Sequence, residues 1–163
     1  MYHCHIRFYL IGCQRRIWKQ LKEVSPFEHF THEFLESENP EESLAAKADV
    51  ILVDLPEADL SNALQLLIKW KHAESQLILL TDILQNENLT NWFSDITDIW
   101  PKSMPDTLLQ FHIKKWYRGY KEKKDAWQTK QYLETTINST PDLIWYKDKR
   151  GIHKKVNDSF CKT

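Results

Sequence analysis

Val50-Ile51-Leu52-Val53-Asp54 is an unbroken apolar run that ends on a carboxylate. Two further runs also give way to polar residues: Leu77 to Leu80 leads into Thr81, and Asp98 to Trp100 comes just before Lys102. A strand covered on both faces is continuously apolar rather than alternating, so each run reads as a buried parallel strand. The three polar residues then converge on one edge of one sheet. In open α/β folds that carboxyl edge is where ligands bind and chemistry occurs. An acid, a hydroxyl and an ammonium gathered there suit a phosphate-handling site.

Working outward, strand-like and helix-like segments alternate from the start to about residue 112. Ile6 to Ile11 is a first apolar run, and Gln14 to Val24 carries Ile17, Leu21 and Val24 at helical spacing. Phe27 to Leu35 is a second strand candidate. Pro40 to Ala48 reads as a short helix, with Asn39 as N-cap and Pro40 at the first helical position. The strand at Val50 to Val53 is followed by a helix at Ser61 to His72, where Leu64, Leu67 and Ile68 share one face. Asn88 to Phe93 reads as helical and Ile96 to Trp100 as the last strand. Repeated β-then-α units without hairpin signals imply crossover connections. The expected class is α/β, a doubly wound five-stranded parallel sheet of flavodoxin type.

The chain has 163 residues, room for one ordinary domain and a substantial appendage. Net charge is −1, from 22 basic and 23 acidic residues, which gives no whole-chain reason to expect nucleic acid or an anionic membrane. Only 3 glycines argue against a Gly-rich nucleotide loop. Cys4, Cys13 and Cys161 are odd in number and widely spaced, unlike a disulfide framework or a paired-cysteine metal site, and a reducing cytoplasm fits them. No apolar run approaches the roughly 20 residues that span a bilayer. His3, Cys4 and His5 do not make a metal site, because on a strand the thiol points away from the two imidazoles. His29 and His32 lack a further ligand pair. No metal and no cofactor are expected.

From Asp106 to about Ser139 there is no proline and only Gly119 as a breaker, so one helix of about 34 residues, on the order of 50 Å, is expected. Leu109, Ile113, Trp116, Tyr120 and Trp127 follow a 4-3-4-7 spacing, a heptad seam with Lys123 in the missing slot. The early turns should also pack on the sheet. A lone helix cannot bury the rest of such a seam, which makes a second copy of the chain the expected partner. The basic run Lys114, Lys115, Arg118, Lys121, Lys123 and Lys124 reads as a solvated face, since Glu122, Asp125 and the seam share the stretch. After Ser139-Thr140-Pro141-Asp142, a hairpin is expected from strands Leu143 to Lys147 and Ile152 to Val156 around a turn at Asp148 to Gly151. Asn157 can cap a helix starting at Asp158. A hairpin of this size is not stable alone, so it reads as the cut end of a further domain.

Two resemblances rest on these residues. Asp54 after Ile51-Leu52-Val53, Thr81 after Leu77-Ile78-Leu79-Leu80, and Lys102 before a proline-containing segment resemble the phosphoacceptor, switch hydroxyl and lysine of bacterial response-regulator receiver domains. The resemblance implies that Asp54 would take a phosphoryl group from a histidine kinase, Lys102 pair with it and Thr81 report its arrival. Receiver domains carry an acidic pair after the first strand to hold Mg²⁺. Here the matching stretch is Ile11-Gly12-Cys13-Gln14, with no carboxylate at Gly12 or Cys13. Mg²⁺ is held by carboxylates and phosphate oxygens, and phosphoryl transfer depends on its charge. A further departure is Ser103 after Lys102, where the family usually has proline.

The second resemblance covers about Tyr132 to Thr163. Leu133-Glu134-Thr135-Thr136-Ile137, then Thr140-Pro141-Asp142-Leu143-Ile144-Trp145-Tyr146, Asp148-Lys149-Arg150-Gly151 and Val156-Asn157-Asp158-Ser159-Phe160, is similar to the opening of a PAS domain. Together the resemblances imply a receiver-like domain over 1–112, a dimerising signalling helix over 106–139 and the start of a PAS domain over 140–163. They imply the N-terminal region of a bacterial signal-transduction protein whose receiver-like module is not phosphorylated. It would relay through a dimeric helix to PAS and output domains, such as a GGDEF diguanylate cyclase in cyclic-di-GMP signalling. The rival readings are a phosphorylatable two-component receiver using Asp54, and the sensor region of a histidine kinase in a phosphorelay. No catalytic residue is expected in this stretch itself.

Overall fold

The computed structural model describes residues 3–12, 15–24, 27–82 and 87–162, with the backbone only at 87 and 88. The chain forms two compact units, Met1–Lys115 and Trp116–Thr163. In the first, strands β1 (Cys4–Ile11), β2 (Phe30–Ser37), β3 (Val50–Val53), β4 (Gln76–Leu80) and β5 (Asp98–Trp100) make one sheet in the order β2-β1-β3-β4-β5. Every neighbouring pair is parallel. This is the doubly wound flavodoxin-like order, in which the chain reverses its direction of travel between β1 and β3. The five-stranded parallel sheet expected from the apolar runs is present.

The central strands are apolar along their whole length because they are covered twice. All four residues of β3 are fully buried, and Leu77 to Leu80 of β4 are within a percent of it. One face packs Tyr9, Ile11, Ile51, Val53, Leu77 and Leu79 against helices α2 (Glu42–Ala45) and α3 (Glu57–Trp70). Alternation puts Ile6, Phe8, Leu10 and Leu52 on the other face. That face belongs to α1 (Arg15–Glu23) and the first turns of α4 (Asp106–Ser139), which are joined to each other by Gln110 to Gln20 at 2.8 Å. Ile17, Gln20 and Leu21 of α1 and Leu109 and Ile113 in the first turns of α4 are buried here.

Two local expectations are corrected and one is met. Pro40 to Ala48 holds only a single helical turn, Glu42–Ala45, whose N-cap is Glu41 rather than Asn39. The cause is tertiary: Tyr9 Oη on β1 accepts from the Glu41 N–H at 2.9 Å and bonds the Ser37 hydroxyl at 2.6 Å. Ser37 in turn donates to the Asn39 carbonyl at 2.5 Å, which draws residues 37–41 into a loop. The helical reading of Asn88 to Phe93 is met by a 3-10 helix at Glu87–Trp92, one residue earlier at each end. A six-residue segment containing Thr90 and Asn91 is too short and too poor in helix formers to propagate α-helix. The helix expected from Ser61 begins at Glu57, because Glu57 and Asp59 in its first turn complement the dipole of its N-terminus.

The second unit contains the rest of α4, strands β6 (Trp145–Lys147) and β7 (His153–Val156) in an antiparallel hairpin, and α5 (Asp158–Cys161). The expected long helix is continuous over Asp106–Ser139, and the expected hairpin is formed. Its turn is set by Asp148 Oδ1, which accepts from the N–H of Arg150 and of Ile152 at 2.9 Å, while Gly151 takes φ of +80°. These backbone donors, the Ile152 N–H foremost, hold the Asp148 carboxyl below its ordinary range. Asn157 caps α5 as expected and does more. Its side chain is fully buried, accepts from the N–H of Phe160 and Ile144, and donates to the carbonyls of Ile137 and Asp142 at 3.1 and 2.8 Å. All four of its side-chain bonding positions are used, tying the end of α4 to the start of the hairpin.

Candidate functional site

The carboxyl edge of the first unit collects the residues singled out by the sequence. β3 leads directly into Asp54, whose N–H bonds the Ile11 carbonyl of β1 at 2.9 Å. β4 leads directly into Thr81, whose N–H bonds the Trp100 carbonyl of β5 at 3.0 Å. Both side chains are buried, a consequence of both strands lying in the middle of the sheet. Lys102, just past β5, reaches across β4 to place Nζ 2.5 Å from Asp54 Oδ1 and 3.3 Å from the Leu55 carbonyl. The pair is unequal in exposure: the Asp54 side chain is 4% accessible and that of Lys102 is 25%. Asp54 and Lys102 therefore form a direct ion pair at the edge of the core.

Gly12 determines what else can enter. It follows β1 directly, extends the pairing with β2 through its N–H to the Ser37 carbonyl at 3.0 Å, and has φ of +63°. Its backbone lies so close to β3 that a Cβ there would stand 2.5 Å from the Asp54 carbonyl oxygen. Only glycine tolerates both conditions. No side chain, acidic or otherwise, fits at this position in this backbone. Cys13 lies outside the described residues. Among the described residues, no group of three or more His, Cys, Asp or Glu is placed to hold a metal ion.

Two residues of the edge were not singled out from the sequence as site residues. Asp82 follows Thr81, and its Oδ1 accepts both the N–H and the hydroxyl of Ser103 at 3.0 Å. The Ser103 N–H lowers the Asp82 carboxyl below its ordinary value, helped by the Ser103 hydroxyl, the Lys102 N–H and the Lys102 charge, against a smaller desolvation. A depressed carboxylate stabilises above its unfolded-state range and loses that contribution as pH falls through its folded value. Arg16 on α1 donates to the carbonyls of Lys102 and Met104 and pairs with Asp106. The available signal for Asp82 was its position next to Thr81. For Arg16 there was none, because the contact spans 90 positions.

Other candidates separate as their strand positions require. Cys4 is buried while His5 on the opposite face is exposed. His5 instead bonds Thr31 Oγ1 at 2.9 Å and lies 3.5 Å from Glu33. His32 is held below its usual range by burial and by His5. Leu109 and Ile113 of the heptad seam are buried in the first unit, so they are not open to a second copy. Trp116 and Tyr120 are half-buried with their rings 5.1 Å apart, and Trp127 is 61% exposed. Tyr117, next to the seam, has its hydroxyl pushed up to about 12 by burial. Among the described residues, no helix is long and apolar enough to cross a membrane.

Strand order and site together define a flavodoxin-like α/β domain with an Asp54–Lys102 ion pair at the carboxyl edge, where the buried Thr81 follows the neighbouring strand. No family model matches the chain, and no curated protein matches it either. Among solved structures, a chain described as a CpaE2 pilus assembly protein from Sinorhizobium meliloti 1021 is similar at a TM-score of 0.47 and 10% identity. The similarity covers 66% of this chain and 98% of that one.

Proposed function

We propose that the first unit is a receiver-like signalling module that does not accept a phosphoryl group, and that α4 relays its state to the second unit and to domains beyond. The observation that carries this reading is Gly12: its positive φ and its approach to the Asp54 carbonyl exclude a carboxylate at that position, and the next residue, Cys13, supplies none by sequence, so the acidic pair that would hold Mg²⁺ beside Asp54 is missing. Without that charge an aspartate already neutralised by Lys102 is a poor nucleophile toward a phosphoanhydride or acyl phosphate. Acetyl phosphate with Mg²⁺ is therefore expected to leave the chain unmodified. Asp54-dependent phosphorylation overturns the reading in favour of a working receiver.

In this reading 140–163 is the opening of a PAS domain, supported by the hairpin, the Asp148 turn and the Asn157 cap in the order the resemblance requires. The output would be a diguanylate cyclase, or alternatively a histidine kinase, and nothing in these residues supplies its chemistry. The partner of α4 is a second copy of the chain, meeting it along Trp116, Tyr120 and Trp127, while Leu109 and Ile113 serve the sheet. Sedimentation equilibrium at tens of micromolar should give a dimer that Trp127→Glu converts to monomer. A wild-type chain that is monomeric there removes the dimeric helix from the account.

A further inference from the structure

The loop between β5 and α4, residues 101–105, is held from three sides. Lys102 reaches back to β3 through Asp54 and the Leu55 carbonyl. Asp82, just past β4, takes both donors of Ser103 on one carboxylate oxygen at 3.0 Å. Arg16, from α1, holds the carbonyls of Lys102 and Met104 and pairs with Asp106, the first residue of α4. Surface connections are ordinarily the least restrained part of a domain. This one carries restraints from β3, β4 and α1 within a few residues of the start of a 34-residue helix.

We propose that Asp82 is a positioning residue: with Ser103 it forms a latch that fixes the β5–α4 loop and so sets the first turns of α4 on the sheet. The inference goes beyond the reading of an unphosphorylated site: it gives a carboxylate other than Asp54 the task of fixing the loop. Serine suits the position chemically. Its N–H and hydroxyl both donate, and a bond to a carboxylate is roughly twice as strong as one between neutral groups. A proline in its place would offer neither donor. The latch and the Arg16 clamp act on adjacent residues, 103 and 104, so loosening one should transmit to the helix start that the other holds.

Amide hydrogen exchange on the full 163-residue chain reads this residue by residue. Asp82→Ala should speed exchange of the Ser103 amide roughly tenfold. It should also speed the Leu109 to Ile113 amides several-fold, leaving β7 and α5 unchanged. Asp82→Asn, which keeps an acceptor without the charge, should fall between. Ser103→Pro should reproduce the helix effect. If proline disturbs the loop by its own fixed φ, Asp82→Ala still decides, since it removes only an exposed carboxylate. An unchanged Ser103 amide in Asp82→Ala overturns the latch. A change confined to Ser103, with Leu109 to Ile113 as protected as before, overturns its coupling to the helix. Phosphorylation of Asp54 would sink the unphosphorylated reading without altering either exchange result, so the two failures are distinguishable.

Discussion

Gly12→Ala should destabilise the first unit by roughly 2–5 kcal/mol, read as a lower denaturation midpoint at unchanged slope. About 1–2 kcal/mol of this comes from forcing a residue with a Cβ into the left-handed region. The remainder comes from moving backbone, because the atom that Cβ meets at 2.5 Å is the Asp54 carbonyl oxygen rather than a flexible side chain. Overpacking of that kind costs about 1–3 kcal/mol. The functional corollary is sharper than the number. Gly12→Asp, the substitution that would supply a receiver-like carboxylate, should cost at least as much and should not create magnesium affinity. A stable Gly12→Asp variant that binds Mg²⁺ would show that the backbone at β1 is far more adaptable than its geometry indicates.

Lys102→Met should be comparably damaging, and its pairing with Asp54→Asn should be diagnostic. Removing the ammonium leaves Asp54, at 4% side-chain accessibility, as a buried carboxylate deprived of its cation. Breaking such a pair from one side typically costs about 3–5 kcal/mol. Lys102 is a quarter exposed, so solvent offsets part of that and about 2–3 kcal/mol is expected here. Replacing both partners removes the uncompensated charge, so the double variant should recover at least half of the loss. The coupling in a double-mutant cycle should therefore be favourable and well above the few tenths of a kcal/mol typical of independent sites. Strict additivity would mean that the two side chains do not stabilise one another.

The parts of this architecture visible in the amino-acid order are those fixed by burial on two sides. Ile51 to Val53 and Leu77 to Leu80 could only be interior strands, and their parallel pairing placed Asp54 and Thr81 at one edge. The long helix was visible because nothing between Asp106 and Ser139 interrupts it. What could not be read were contacts between distant residues. Tyr9 displaced the expected cap at Asn39 by bonding the Glu41 N–H across 32 positions. Ser103 registered only as a missing proline until its two bonds to Asp82 gave it a role. The heptad spacing gave one seam, but it could not say that its first two residues serve the sheet and only Trp116, Tyr120 and Trp127 lie beyond. At Gly12 the sequence told of an absent carboxylate, whereas φ of +63° and the Asp54 carbonyl explain why none fits.

The central claim is that the sheet edge is receiver-like in form and closed to phosphoryl transfer. It is tested most directly by intact-mass measurement after incubation with acetyl phosphate and Mg²⁺, with Asp54→Asn as the reference. The account predicts that each chain shows only its own unmodified mass, without a phosphoryl adduct. A stoichiometric, acid-stable and base-labile adduct on the wild-type chain, absent from Asp54→Asn, would contradict it.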